Sequence, residues 1–538
     1  MRMLYAKKMG TLFFDSRKIL PIIVKMKKCW GKLVLAGCAV SLFACGNFRY
    51  AAYTFGALDQ TQFRMSSYED YYRQGEYSGL KTLDKGEIPA KIADIYSYGP
   101  KRKVLPSTGK TYLTVIPVDF VDVGFSVNEN VHDAISEAFF GDSSFNQYVS
   151  LAEYYDKSSY HRLQVEGEVT KDIFRCPDTY ASLLAKANAS QTKSALTRIY
   201  NAAIEWYNQQ DYGRTLTSGD AVYFVYLAPY SGMEDGRSAR SSMMWAFTVN
   251  DPAPICWSSY YMMHVRDNGA VDAHTYIHEF GHMLGLRDYY DANSYSDLSA
   301  CSPLGRMDMM DCSLGEHNAF SKMMLDWMRP YVPTGECEIT LRPSSGNGDA
   351  LLLPLTTYNG TPYDEYLLLE YYTPSYLNAA DATLRTDPKM SLMKKSGIKA
   401  YHVDGRLAVF DERGKTPVSF LGENVTVGNH TIDFYYENSG YEEGGYIRGL
   451  SGFMIHLLDA SSKSMALVEN YIASDHNEDI AVGGEVAHLR DCLFNVNEGV
   501  DLSTSELSFH KNETLSYGFK VTEIAPTHAK ISVFPLSK

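Results

Sequence analysis

Apolar and polar residues are distributed differently in the two halves of the chain, and the first half has the pattern of a mixed domain. The run TYLTVIPVDFVDV at 111–123 is apolar and rich in β-branched residues, which is typical of a buried strand, and AVYFVYLAP at 221–229 predicts a second. Helical periodicity covers 131–155 and 194–210. Strands and helices that alternate in this way predict an α/β or α+β domain over 110–330.

The second half, residues 331–538, changes to short apolar runs separated by turn residues. The clearest are EYLLLEYY at 365–372 and GIKAYHVDG at 397–405. Further runs of this kind lie at 336–343, 349–356, 431–438, 452–459, 506–511 and 530–536. Short strands at such spacing predict a β-rich, sandwich-like region.

The N-terminus has the pattern of an export signal. A basic patch that opens at Met26 and ends at Lys32 precedes the apolar stretch 33–44, which is too short to cross a bilayer as a permanent helix. Residues 1–45 are therefore predicted to be a signal peptide whose translation starts at Met26. The following segment, 46–109, is polar and rich in tyrosine without a sustained period, so it is predicted to be a tether or a pro-segment.

The apolar stretch ends in Leu-Phe-Ala-Cys, which resembles the lipobox of bacterial lipoproteins and predicts Cys45 as the site of lipid attachment. Cys38 follows similar letters, but the apolar run before it is too short. Gly46 after the cysteine resembles lipoproteins of the outer membrane of Gram-negative bacteria. We therefore expect an exported lipoprotein at the cell surface or outer membrane. A plain secretory signal, giving a secreted protein, is the alternative.

Composition excludes some functions and leaves the disulfides open. The chain has 538 residues, of which 45% are hydrophobic and 21% charged, which is ordinary globular material for two or three domains. Its formal net charge of -14, without a basic run beyond the N-terminus, offers no surface for nucleic acid. Six cysteines follow Cys45, and Cys301 with Cys312 is the preferred disulfide because they flank one loop; free buried thiols are the alternative.

The strongest chemical signal is the run His278-Glu279-Phe280-Gly281-His282. Residues four apart lie on one face of a helix, so His278 and His282 can present two imidazole nitrogens to one metal ion. Such a site favours Zn²⁺, which lowers the pKa of a bound water toward neutrality. Glu279 is then predicted to be the general base that takes a proton from this zinc-bound water and passes it to the leaving amine.

A catalytic zinc takes three protein ligands and leaves one position open. Asp288 stands at the third-ligand place of the elongated metzincin pattern His-Glu-x-x-His-x-x-Gly-x-x-His, where Gly285 allows the chain to turn sharply. Glu316 is the alternative ligand if the domain follows the gluzincin plan of a more distant glutamate. The group that stabilises the oxyanion is open among three candidates: Tyr289, Tyr290 and His402.

These residues resemble the signature of the immune inhibitor A family of secreted bacterial metallopeptidases. The likeness rests on HEFGHMLGL at 278–286, the DYYD that begins at Asp288, and Asp308-Met309-Met310, in which the resemblance implies that Met310 is the Met-turn methionine beneath the zinc. Weaker matches lie at 116–120, 153–159, 319–327, 365–370 and 397–404. The family implies proteolysis of extracellular proteins or peptides, and the likeness covers roughly residues 110–410.

One more cation is a candidate. Asp291, Asn293 and Asp297 alternate along the chain as the oxygen ligands of Ca²⁺ do. Asn and Asp are also common in ordinary loops because their side chains favour turns. We therefore keep a Ca²⁺ site and a plain loop as the two interpretations of this segment.

Taken together, the sequence predicts an α+β protein in which a metzincin-like zinc peptidase catalytic domain, 110–330, precedes the β-rich region. The predicted activity is that of a zinc-dependent endopeptidase acting on extracellular proteins or peptides. Its partners are these substrates and, through the N-terminal lipid, a membrane. The alternative is a surface lipoprotein that binds proteins or glycans and carries a latent or inactive peptidase fold; the intact His278, Glu279 and His282 argue against it.

Overall fold

The structure is a computed structural model, and it describes residues 80–82, 104–123, 131–142, 149–186, 189–230, 243–265, 271–290, 304, 307–311, 313–358, 360, 362–384, 394–410, 417–420, 431–438, 441–442, 445–446, 453–458, 460, 492–501, 509–510 and 513–536. It is mixed α/β with several sheets, in agreement with the predicted α+β class. No helix in these ranges is long and apolar enough to cross a membrane.

The first half combines one large sheet with helices. Its strands are β1 (Leu80–Thr82), β2 (Gly109–Asp119), β3 (Leu163–Val169), β4 (Phe174–Arg175), β5 (Val222–Tyr226), β6 (Phe247–Val249), β7 (Ile255–Ser259), β8 (His264–Val265) and β9 (Val271–Asp272). Its helices are α1 (Val131–Phe140), α2 (Leu151–Ser158), α3 (Tyr180–Leu184), α4 (Ala189–Tyr207), α5 (His274–Met283) and α6 (Ala319–Met324), with 3-10 turns at Tyr260–Met262 and Met309–Asp311.

The large sheet has the strand order β3-β2-β5-β7-β6, with β4 continuing beside the end of β2. All neighbouring pairs are parallel except β6 and β7, which are antiparallel. The central strand β5 is buried at every position, which explains its unbroken apolar run. Helix α5 packs against β6 and β7, so the motif residues lie at the edge of the sheet that β6 forms.

The second half is mostly strands. They are β10 (Tyr331–Pro333), β11 (Cys337–Leu341), β12 (Ala350–Pro354), β13 (Glu365–Tyr372), β14 (Gly397–Asp404), β15 (Leu407–Phe410), β16 (Pro417–Phe420), β17 (Thr431–Phe434), β18 (Tyr441–Glu442), β19 (Gly445–Tyr446), β20 (Ile455–Leu457), β21 (Gly499–Val500), β22 (Tyr517–Ala525) and β23 (His528–Pro535). The helical parts are α7 (Ala379–Leu384), a 3-10 turn at Tyr376–Asn378 and a kinked turn at Ser344–Asn347.

A six-stranded sheet, β1-β10-β12-β13-β14-β20, is the middle layer of the molecule. On one face of β13, Leu367 and Leu369 pack into a core shared with the four-stranded sheet β11-β23-β22-β21. On the other face, Tyr366 and Leu368 join the core of the first half. Because both faces are buried, β13 reads as a continuous apolar run rather than as an alternating one.

The structure differs from several of the expectations drawn from the sequence. The predicted helical stretch 131–155 is two helices, and the second starts where the Ser150 hydroxyl accepts a hydrogen bond from the Glu153 amide at 3.3 Å. Within the predicted tether, β1 pairs antiparallel with β10 through its backbone. The run predicted at 506–511 is not a strand at the two residues described, 509–510.

The predictions on the cysteines are tested only in part. Among the described residues, four cysteines are in no disulfide: Cys176, Cys256, Cys337 and Cys492. Cys301 and Cys312, the preferred disulfide, lie outside the described residues, as does the lipid-attachment candidate Cys45. The Ca²⁺ candidates lie outside them too: Asp291, Asn293 and Asp297.

Candidate metal centre

Helix α5 presents the motif from a tightly packed position. Its apolar residues Tyr276, Ile277 and Phe280 are fully buried, which fixes the rotation of the helix against the sheet. At Gly281 a Cβ atom would lie 2.7 Å from the sulfur of Met310, so any side chain here would force Met310 to move. The glycine in the motif thus lets the helix rest directly on Met310.

Three half-buried side chains converge beside the C-terminal half of this helix. One possible ligand atom from each of His278, His282 and Asp288 lies within 4.8 Å of the others. The Nε2 atoms of His278 and His282 are 3.0 Å and 3.2 Å from Oδ1 of Asp288. The chain reaches this arrangement because Gly285, with φ of +100°, reverses its direction directly after the helix.

The outer ring nitrogens of the two histidines are anchored to the backbone. His278 Nδ1 lies 2.8 Å from the carbonyl oxygen of Met309, and His282 Nδ1 lies 2.9 Å from that of Leu286. A carbonyl only accepts, so each Nδ1 carries a proton and each Nε2 can offer its lone pair to the point that they share with Asp288. Two imidazoles and one carboxylate in this orientation fit a metal such as zinc.

The electrostatics of the cluster also favour a cation. Although burial opposes it, the Asp288 carboxylate raises the pKa of His282 to about 9 and also raises the pKa of His278. Burial likewise opposes ionisation of Asp288, but the two facing histidines hold the pKa of its carboxyl far below the usual range. The cluster therefore binds positive charge, either as protons or as a metal ion that replaces them.

Glu279 lies between the metal cluster and the edge of the sheet. Its side chain is buried, and Oε2 accepts a hydrogen bond from the Thr248 hydroxyl at 3.0 Å. Burial raises the pKa of Glu279, while the two histidines oppose that rise. Two residues after Thr248, directly beyond the end of β6, Asn250 donates to the carbonyl oxygen of His282 at 3.1 Å. Thr248 and Asn250 could not be predicted as site residues, because nothing in the sequence of their own segment marks them.

Met310 forms the floor beneath α5, where the resemblance places a Met-turn residue. It is fully buried, and its carbonyl oxygen accepts from the Tyr289 amide at 2.8 Å. The turn is held by Asp308, whose carboxylate accepts from the amides of Met310 at 2.7 Å and Asn318 at 2.6 Å. Burial raises the pKa of Asp308 to about 7.

The loop that carries Asp288 is also held from the second half of the chain. Arg287 donates to both carboxylate oxygens of Asp433 at 2.6 Å and pairs with Glu437. Asn438 donates to the carbonyl oxygen of Tyr289 at 2.9 Å. These contacts join residues about 150 positions apart, so no local pattern indicated them.

The prediction of Glu316 as the alternative third ligand is wrong. Glu316 is buried away from the cluster: Oε1 accepts from Ser158 at 2.5 Å and Oε2 lies 3.2 Å from the ammonium of Lys322. Its charge is needed there, because Lys322 is itself fully buried. Among the described residues, only Asp288 joins His278 and His282.

Two of the three oxyanion candidates are also wrong. His402 lies on the face of β14 that turns toward the four-stranded sheet, away from the first half, and its Nε2 is 2.8 Å from Glu365. The Tyr289 hydroxyl is buried 2.9 Å from the Ser321 hydroxyl. Tyr290 stays a candidate, since its ring lies nearly parallel to that of His278 at 6.4 Å between centroids.

Comparison with protein-family models and with curated protein sequences finds no match to this chain. Among solved structures, it aligns with the crystal structure of wild-type OgpA from Akkermansia muciniphila at 12% sequence identity. The alignment covers 57% of this chain and 87% of that chain, with a TM-score of 0.21.

Proposed function

We propose that this protein is a zinc-dependent endopeptidase with a metzincin-like catalytic domain. The observation that carries the proposal is the convergence of His278 Nε2, His282 Nε2 and Asp288 Oδ1 beside the buried carboxylate of Glu279. A purely structural cluster does not need both outer nitrogens tied to backbone carbonyls and both inner ones aimed at one point. A metal site that performs hydrolysis needs both features, because they orient the ligands toward the ion.

The division of roles follows from the positions of the atoms. Zinc at this cluster would polarise a peptide carbonyl and lower the pKa of a water molecule. Glu279 Oε2 is bonded to Thr248, whereas Oε1 accepts no hydrogen bond from the described residues. Oε1 therefore takes the proton of the attacking water and delivers it to the nitrogen as the carbon–nitrogen bond breaks. Tyr290 is the candidate donor to the carbonyl oxygen.

The sheet edge supports an extended peptide as the substrate. In the described part of the chain, β6 pairs with β7 on one side and with no strand on the other. An extended peptide can add to such an edge through backbone hydrogen bonds. Since Thr248 in the middle of β6 contacts Glu279, a peptide paired with β6 would run past the general base.

We further propose that the enzyme is exported and anchored by lipid on Cys45, where it meets proteins or peptides outside the cell. The support for this location is the basic patch, the short apolar stretch and the lipobox letters of the sequence. One acyl-modified cysteine with two or more chains gives stable anchoring, while the enzyme itself faces solvent.

Zinc content and hydrolysis of casein-derived peptides, measured on the chain from residue 46, test this function. The wild-type protein should hold one zinc and cleave internal bonds. Glu279→Gln should keep the zinc and lose activity by at least about a hundredfold, the low end for a general base. The matched control is Glu166→Gln, which changes a half-exposed glutamate on β3 and should leave both unchanged.

Each other outcome has a definite meaning. A protein without zinc after loading and dialysis contradicts the proposal. Zinc without hydrolysis in the wild type would favour the alternative, a surface binding protein with an inactive peptidase fold. Cleavage that survives in Glu279→Gln would remove Glu279 from the role of base.

A further inference from the structure

The hydroxyl of Thr248 is placed between two oxygens of the same residue. It lies 3.0 Å from Oε2 of Glu279 and 3.0 Å from the backbone carbonyl oxygen of Glu279. A hydroxyl carries one proton, so it can donate fully to only one of them at a time. The bond to the ionised carboxylate is the stronger one, because hydrogen bonds to charged acceptors are about twice as strong as neutral ones.

The strand holds this threonine in place. Thr248 is paired with the fully buried Cys256 in the antiparallel register of β6 and β7. Cys256 is part of a short chain of buried polar groups. Its thiol lies 3.7 Å from the Ser258 hydroxyl, and the Ser258 hydroxyl lies 3.0 Å from the Tyr223 hydroxyl. A β-branched side chain also has few rotamers, so the hydroxyl has little freedom to leave Glu279.

A second contact fixes β6 relative to the helix. Asn250, two residues after Thr248 and directly beyond the end of β6, donates to the His282 carbonyl oxygen at 3.1 Å. This segment is therefore hydrogen-bonded to α5 twice: at Glu279, the proposed base, and about one turn later at His282, a proposed metal ligand. Relative sliding of strand and helix would break both hydrogen bonds.

We propose that Thr248 is a positioning residue that holds Oε2 of Glu279 and thereby directs Oε1 toward the substrate. This inference rests on the proposed function, since it gives Thr248 a role only if Glu279 acts on a water. Positioning matters here because a displacement of about 1 Å at a reacting group can cost about a hundredfold in rate. The residue contributes no proton to the reaction and touches no metal ligand through its side chain.

The test compares Thr248→Val, which removes the hydroxyl at nearly the same volume, with Thr248→Ser, which retains it. We expect Thr248→Val to lower kcat by about ten- to a hundredfold with KM and zinc content almost unchanged. Thr248→Ser should recover most of the loss. The control is Thr114→Val, a buried threonine on β2 whose hydroxyl has no partner among the described residues; it should keep full activity.

The outcomes separate this inference from the function on which it depends. If the wild type holds no zinc or cleaves nothing, the proposed function fails, and the positioning role, which depends on it, fails with it. If the wild type is active, Thr248→Val with normal kcat, or Thr248→Ser as slow as Thr248→Val, overturns the positioning role. Should Thr248→Val not fold, as judged by its melting curve, Thr248→Ala replaces it, and equal activity of the alanine and serine variants overturns the role.

Discussion

Two pairs of neighbouring histidines in the described part of the chain have similar spacing and very different surroundings. The rings of His278 and His282 have centroids 5.0 Å apart with planes at 85°. The rings of His402 and His456, on the adjacent strands β14 and β20 of the six-stranded sheet, have centroids 4.9 Å apart with planes at 64°. Ring spacing alone therefore does not distinguish a metal site from a core contact.

The partners of the ring nitrogens make the distinction. In the first pair each Nδ1 meets a backbone carbonyl and each Nε2 meets Asp288. In the second pair, His402 Nε2 meets Glu365, but His402 Nδ1 and both nitrogens of His456 have no partner among the described residues. Within the described ranges, no side chain forms a group of three possible metal ligands with His402 and His456. A site for metal needs the outer nitrogens anchored and the inner ones joined by a third ligand.

Metal content tests the difference between the two histidine pairs most directly. We expect His282→Ala to weaken zinc binding by at least about a hundredfold, because loss of a residue behind a ligand already costs ten- to a hundredfold. His456→Leu, which changes the second pair at similar volume, should leave one zinc per chain. Competition with a chelator of known affinity measures both. Two zinc ions in the wild type, one of them lost in His456→Leu, would refute the distinction.

The next largest effect on zinc affinity should come from Arg287, whose ion pairs hold the loop that carries Asp288. Arg287→Ala removes the bonds to Asp433 and Glu437, so we expect zinc affinity to fall by about tenfold or somewhat more. The matched control is Arg342→Ala, which breaks another two-point arginine pair, with Asp349, far along the chain. If both variants bind zinc equally well, the second half of the chain does not position the third ligand.

Local features of the site could be predicted from the sequence. His278 and His282 share a helix face because they are four apart, and Gly285 reverses the chain so that Asp288 returns to them; these are relations within ten residues. In the same way, unbroken apolar runs indicated strands, and β5 and β13 are such strands buried on both faces.

The remaining features depend on contacts between distant segments. Thr248 reaches Glu279 only because β6 is the antiparallel edge strand beside α5, and a three-residue strand has no pattern of its own. Glu316 is the reverse case: as an isolated acidic residue it was a plausible ligand, but the fold places Lys322 beside it. His402 likewise looked available until strand pairing placed it next to Glu365.

The smallest effect that we predict is a difference in how the two pairs respond to pH. In metal-free protein, the pKa of His282 is raised to about 9 from 6.5, so its pairing with Asp288 stabilises the fold fully below about 6.5 and is lost as pH rises through about 9. For His456, burial first and His402 second lower the pKa well below 6.5. Its burial as a neutral ring therefore destabilises the fold as pH falls below about 6.5.

Melting curves with and without chelator, recorded between about pH 5 and pH 9.5, separate the two responses. Metal-free protein should lose stability toward high pH, and the gain in Tm from added zinc should grow there, since fewer protons compete for the ligands. His456→Leu should reduce the loss at low pH and leave the high-pH response unchanged. An unchanged loss at low pH in that variant would mean that His456 is not the group that titrates, whereas a change at high pH would mean that the two pairs are coupled.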